Sequence, residues 1–124
     1  MEEFQTRVIF RIGETAQVTL KLRYSENERE GHVEIEVLRD DDRVGRLGLR
    51  VNPDSHGLFF DPGSMNTDEA RCITSCLGVA AGRGLVECLL GSRSLSEIRA
   101  CVRRKAAGTL VDAALCVAQC MGLA

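Results

Sequence analysis

The sequence predicts an α+β domain: an N-terminal four-stranded antiparallel meander packed against two to three C-terminal helices. Three observations carry this prediction. Apolar and polar residues alternate at period two from about residue 6 to residue 51. The pattern changes to a helical period after residue 66. All six cysteines fall in the second, helical half. Period two marks a strand with one wet face, and a 3.6 period marks a helix with one buried stripe. At 124 residues the chain suits a single domain, with a sheet half at about 6–60 and a helical half at about 66–122.

Residues 6–12 set Val8, Phe10 and Ile12 on one face and Arg7 and Arg11 on the other. Residues 17–24 set Val18, Leu20, Leu22 and Tyr24 against Thr19, Lys21 and Arg23. Residues 32–38 set Val33, Ile35 and Val37 against His32, Glu34 and Glu36. The polar run from Ser25 to Gly31 joins the second and third strands as a hairpin. That hairpin lets Lys21 and Arg23 lie across from Glu34 and Glu36, which helps to fix the register. The turn Asp40-Asp41-Asp42 leads to residues 43–51, where Leu47, Leu49 and Val51 alternate with Arg46, Gly48 and Arg50. The alternation slips near Gly45, where a bulge is expected. A connector rich in turn residues spans 52–66, and within it Leu58-Phe59-Phe60 is expected to be buried, as a short fifth strand or as a plug over the core edge.

Asn66 followed by Glu69 reads as a helix start, and Gly91 as its end. Ile73, Leu77, Ala80, Ala81, Gly84, Leu85 and Cys88 form its apolar face. Gly78, Gly82 and Gly84 are unfavourable inside a helix, so close approach to another element is expected there. Ser94 with Glu97 is a capping box for a second helix at about 95–106. Gly108 is expected to break it, and Thr109 to cap a third at about 110–121.

Composition narrows the function. Aromatic residues make up only 4% of the chain, with no Trp, so a base-stacking surface is not expected and nucleic acid is not the expected partner. The net charge is −2, split unevenly: residues 1–71 hold 10 basic and 15 acidic side chains, residues 72–124 hold 6 and 3. Mutual attraction of the two halves accounts for that split. The acidic start, Met1 to Gln5, lacks the apolar run of a secretory signal. The stretch Cys76–Gly91 is interrupted by Arg83 and Glu87, which argues against a bilayer span. A soluble cytoplasmic protein without membrane contact is therefore expected, with its cysteines as thiols or metal ligands.

The cysteines are the unusual constellation. Cys72/Cys76 and Cys116/Cys120 each have i,i+4 spacing, which sets both sulfurs of a pair on one helix side. Facing pairs would offer four thiolates to zinc or an iron–sulfur cluster. The competing expectation is that all six sulfurs are compact filler in a tightly packed helical layer. Cys76, Leu85-Val86, Gly91, Ser94-Leu95 and Glu97 resemble the helical part of U-type iron–sulfur cluster scaffold proteins, over under a fifth of the chain. The Cys-Gly-Asp ligand motif that the resemblance requires in the sheet half is missing, since no cysteine precedes Cys72. The twin C-x3-C chaperones of mitochondria are all helical, with much closer pairs, and do not match.

Other candidates are weaker. His56, in Asp54-Ser55-His56-Gly57, would serve a cysteine-dependent enzyme as general base, but its simpler reading is a turn residue. Arg39, Arg43, Arg46 and Arg50 read as a solvated strand face. Arg99, Arg103, Arg104 and Lys105 form a basic helix face that would hold an acidic partner. The function expected from the whole is non-enzymatic binding or adaptor activity through protein–protein contact, with another protein or a second copy as partner and no cofactor. The alternative is a thiol-rich metal-binding protein using Cys72, Cys76, Cys116 and Cys120.

Overall fold

The computed structural model describes residues 3–55, 57–63 and 66–122. The fold is α+β, with helices on one face of a single antiparallel sheet. The sheet has five strands, not four: β1 (Glu3–Ile12), β2 (Ala16–Glu26), β3 (Gly31–Arg39), β4 (Asp42–Asn52) and β5 (Gly57–Asp61). They pair in chain order as a continuous meander. The fifth strand is the Leu58-Phe59-Phe60 run. Turn residues bracket it on both sides, and β4 offers it the hydrogen-bonding edge it pairs with.

Alternation sets the buried face as expected. Val18, Leu20, Leu22 and Tyr24 of β2 are fully buried, beside Val33, Ile35 and Val37 of β3 and Leu47, Leu49 and Val51 of β4. On the outer face Lys21 is registered with Glu36 and Arg23 with Glu34. The Lys21–Glu36 pair closes to 3.0 Å. The register shifts between Val37 and Leu38, whose partners on β4 are Gly45 and Arg43, so Val44 is the extra residue of a bulge. A side chain at Gly45 would run into Ile73, so the absence of one lets the first helix sit down on β4.

Thr67, one residue later than expected, caps α1 (Asp68–Ala81) by accepting from the Ala70 amide. The helix continues through a π turn (Gly82–Val86) into α2 (Glu87–Gly91). The whole run, Asp68–Gly91, is 24 residues long and apolar enough by length and composition to cross a bilayer. Here Ile73, Leu77, Ala81, Leu85 and Leu89 of that run are buried in the domain core. Ser94 caps α3 (Leu95–Cys120) as expected, by accepting from the Glu97 amide. α3 is one helix of 26 residues, not two. Gly108 does not break it, because the buried stripe Ile98, Val102, Ala106, Leu110, Ala113 and Val117 runs straight past it. Packing along that stripe outweighs the roughly 1 kcal/mol cost of one exposed glycine.

Of the three glycines expected to mark a close approach, Gly84 does so and Gly78 and Gly82 do not. An added Cβ at Gly78 or Gly82 would meet nothing, so neither marks a close approach. At Gly84 it would collide with the Thr109 hydroxyl of α3. Gly84→Ala is therefore expected to destabilise by about 1–3 kcal/mol through overpacking. Gly78→Ala is expected to stabilise by about 0.5–1 kcal/mol, because it only removes backbone freedom from the unfolded chain. Urea denaturation of the two variants checks this, and the reverse order would contradict the α1–α3 contact. One ion pair joins the oppositely charged halves, Arg99 to Glu26, and another, Arg39 to Glu69 at 2.8 Å, ties β3 to the first turn of α1.

Candidate functional site

The three-residue connection between α2 and α3 turns α3 back along α1, and the i,i+4 cysteine pairs meet across that crossing. Cys72 is bonded to Cys120 and Cys76 to Cys116, with Cα–Cα separations of 5.8 and 5.7 Å. A third bond, Cys88–Cys101, ties α2 to the start of α3 with a separation of 5.9 Å. No cysteine is left free. The filler reading is thus corrected: the sulfurs are cross-links between helices, not spacers. The expectation of thiols is corrected with it. Helical spacing shows which face a sulfur takes but not which sulfur lies opposite, so the sequence hid the pairing.

The first two bonds are neighbours in one cluster. Cys76 Sγ lies 3.4 Å from Cys120 Sγ, to which it is not bonded. The sulfurs of Cys72, Cys76 and Cys120 all lie within 4.8 Å of one another, and Cys116 joins them through its bond to Cys76. The cluster is graded in access. Cys72 is exposed, Cys116 and Cys120 are half-buried, and Cys76 is buried. Cys101 is buried at the third bond, and the Cys88 sulfur lies 3.4 Å from the Leu85 carbonyl oxygen.

The basic face of α3 does not stand clear of the domain. Arg99 donates to the Glu26 carboxylate, which also accepts from the Tyr24 hydroxyl at 2.6 Å. The Arg103 guanidinium lies 4.7 Å from the centre of the Phe4 ring, a cation–π contact. Arg104 and Lys105 are exposed. So Arg99 and Arg103 of the expected acidic-partner set contact the sheet, Arg103 while remaining exposed.

Burial pushes the Tyr24 phenol well above its ordinary value, and its hydrogen bond to Glu26 and the charge of that carboxylate add to the shift. Burial alone would raise Glu26 too, but hydrogen bonds from Arg99 and Tyr24 outweigh it and hold the carboxyl below its ordinary value. Tyr24 is the only tyrosine and there is no Trp, so phenolate absorbance reports on this one group. A raised folded pKa contributes stability below about pH 10 and loses it as pH rises through the folded value. We expect no phenolate signal at pH 10 in the native state, and its appearance above that together with unfolding. A free titration near pH 10 in the folded protein would contradict the triad.

The arginine stripe Arg39, Arg43, Arg46 and Arg50 is paired within the domain. Arg43 faces Glu36 at 3.9 Å, and Arg46 bridges Glu34 at 3.5 Å and Asp61 at 3.2 Å. Arg50 sits over the Phe59 ring, 5.4 Å from its centre. His56 lies outside the described residues. The sequence reading did not anticipate that β5 exposes its aromatics. Phe59 is 59% exposed and Phe60 51%, although burial was expected. β5 is the last strand of the sheet, with β4 as its one strand neighbour among the described residues, and hydrophobicity alone does not reveal that position. No protein-family profile, curated protein or solved structure matches this chain.

Proposed function

We propose that this chain is a non-enzymatic binding or adaptor domain acting through protein–protein contact, with a second copy of itself as the partner, joined along β5. One observation carries the reading: the sheet ends in an apolar strand with an open edge. Among the described residues β5 pairs with β4 alone. Leu58 and Phe60 stand opposite Val51 and Leu49, which are buried, so the core-side face of the sheet runs out to this edge with its apolar character intact. Leu90, 43% exposed, adds to the same end of the core, where α2 touches β5.

An unpaired apolar edge is a template for another strand. Antiparallel pairing of two β5 strands centred on Phe59 sets each Leu58 across from the Phe60 of the other copy. It sets Asp61 across from Gly57, so no like charges meet. Such apolar and aromatic cross-strand pairs contribute roughly 0.2–1 kcal/mol each, beyond the edge hydrogen bonds. Light scattering after size exclusion tests this. A dimer that dissociates on Phe60→Glu supports it. A monomer at every concentration, or a dimer indifferent to Phe60→Glu, rules it out. The three disulfides support an oxidising compartment over the cytoplasm expected from the sequence.

A second reading rests on the sulfur cluster. Zinc–thiolate bonds of about 2.3 Å in a tetrahedron place ligand sulfurs roughly 3.8 Å apart. After reduction, Cys72, Cys76, Cys116 and Cys120 would need only small shifts to reach that spacing from where they lie. Zinc near one equivalent in reduced protein, lost on Cys76→Ser, supports a metal role; no retained metal rules it out.

A further inference from the structure

The two adjacent bridges differ in access, and one non-bonded contact connects them. Cys72 is exposed, whereas Cys76 is buried. Cys120, the bonded partner of the first, lies 3.4 Å from the sulfur of the second. Disulfides exchange by attack of a thiolate on a bonded sulfur, so a thiolate at Cys120 would start in contact with its target. We infer that the cluster is a thiol–disulfide relay, in which a dithiol of another polypeptide reacts at exposed Cys72 and the exchange passes inward from Cys120 to Cys76.

The steps balance. One thiolate of the dithiol attacks Cys72 Sγ, and a mixed disulfide forms there. The Cys72–Cys120 bond breaks, and its electron pair leaves on Cys120. The Cys120 thiolate then attacks Cys76 Sγ, forming Cys76–Cys120 and expelling Cys116 as a thiolate. The second thiolate of the dithiol resolves the mixed disulfide and releases Cys72. The dithiol ends as a disulfide, two electrons having passed to the chain. Its two protons end on Cys72 and Cys116. The inner exchange is itself redox-neutral, so the bridge count falls by one only because the dithiol is oxidised.

Helix packing favours this route. The end of α3 is anchored by buried Val117 and the first turns of α1 by buried Ile73 and Leu77, so breaking one bridge leaves the sulfurs close together. The third bridge, Cys88–Cys101, holds the other end of the helix pair and takes no part.

Two single variants test the relay from opposite sides. Cys72→Ser leaves a thiol at Cys120, and Cys116→Ser leaves one at Cys76. Each places a thiolate beside a bonded sulfur, and both exchanges converge on the same non-native Cys76–Cys120 bond. Each variant is incubated folded at pH 8.5, where an ordinary thiol is about half ionised, then acid-quenched, alkylated and mapped by mass spectrometry. The expected result is a Cys76–Cys120 peptide, with the alkyl label shifted to Cys116 in Cys72→Ser or to Cys72 in Cys116→Ser. Its recovery from either variant, with Cys88–Cys101 intact, supports the relay. Its absence from both, or bonds to Cys88 or Cys101 that mark general scrambling, overturns it.

Discussion

Cys72→Ser/Cys76→Ser, which removes both bridges from α1, is expected to lose at least about 4 kcal/mol of stability, whereas Cys72→Ser or Cys116→Ser alone loses no more than about 2.5 kcal/mol. Closing the loop between Cys72 and Cys120, which are 48 positions apart, removes chain entropy worth about 4 kcal/mol from the unfolded state. The Cys76–Cys116 bridge closes a loop of 40 residues inside the first. Once either is closed, the other adds only a small ring of two helical turns. The loop relation gives roughly 2.5 kcal/mol for that ring, an upper limit because stiff helical turns have less freedom to lose. The two bridges are therefore redundant against unfolding. A loss of about 4 kcal/mol is a large part of the roughly 5–15 kcal/mol typical of a domain, and lowers the melting temperature by roughly 15 °C at this size. Urea denaturation of the three variants measures it. A double variant no less stable than the singles would show that the bridges do not limit the unfolded chain. Redundancy also frees one bridge to open while the other keeps the fold, which the relay requires.

How far the sequence reveals these features depends on whether the physics involved is local. Period-two alternation in 17–24 and 32–38 is local, since each residue there reports its own face, and β2 and β3 emerge in the expected phase. The Val44 bulge was legible because Gly45 disturbs the alternation. The continuity of α3 was not legible, because it depends on what lies beneath Gly108 and not on Gly108 itself. Leu58-Phe59-Phe60 shows the same limit from the other side: the residues specify a strand, but only the strand order leaves Phe59 and Phe60 exposed. The cysteine tetrad was half legible. Spacing grouped Cys72 with Cys76 and Cys116 with Cys120, while the bonds run between the groups and so follow from how two helices pack.

Arg99→Ala is expected to cost about 2–4 kcal/mol near pH 7, and much less near pH 3. The Glu26 side chain is only 6% exposed, and Arg99 is its cationic partner. Removing one member of a buried pair strands the other charge, which costs about 3–5 kcal/mol when both are fully enclosed, and somewhat less here because Arg99 is 30% exposed. The sign with pH follows from Glu26. Its folded pKa is lowered, so its contribution is complete above the ordinary carboxylate value and is lost as pH falls through the folded value. Without Arg99, burial raises that pKa instead, and below it the neutral acid still bonds to Tyr24. The cost of Arg99→Ala therefore shrinks on acidification, whereas a loss caused only by missing side-chain packing would not. Replacing the pair together, as Glu26→Leu/Arg99→Met, is expected to recover part of the loss, because no stranded charge remains. Folding free energies of the wild type and these variants at the two pH values decide between the explanations. A cost for Arg99→Ala that is equal at both would assign its role to packing over β1 and β2 and remove the ion pair from the forces joining the two halves.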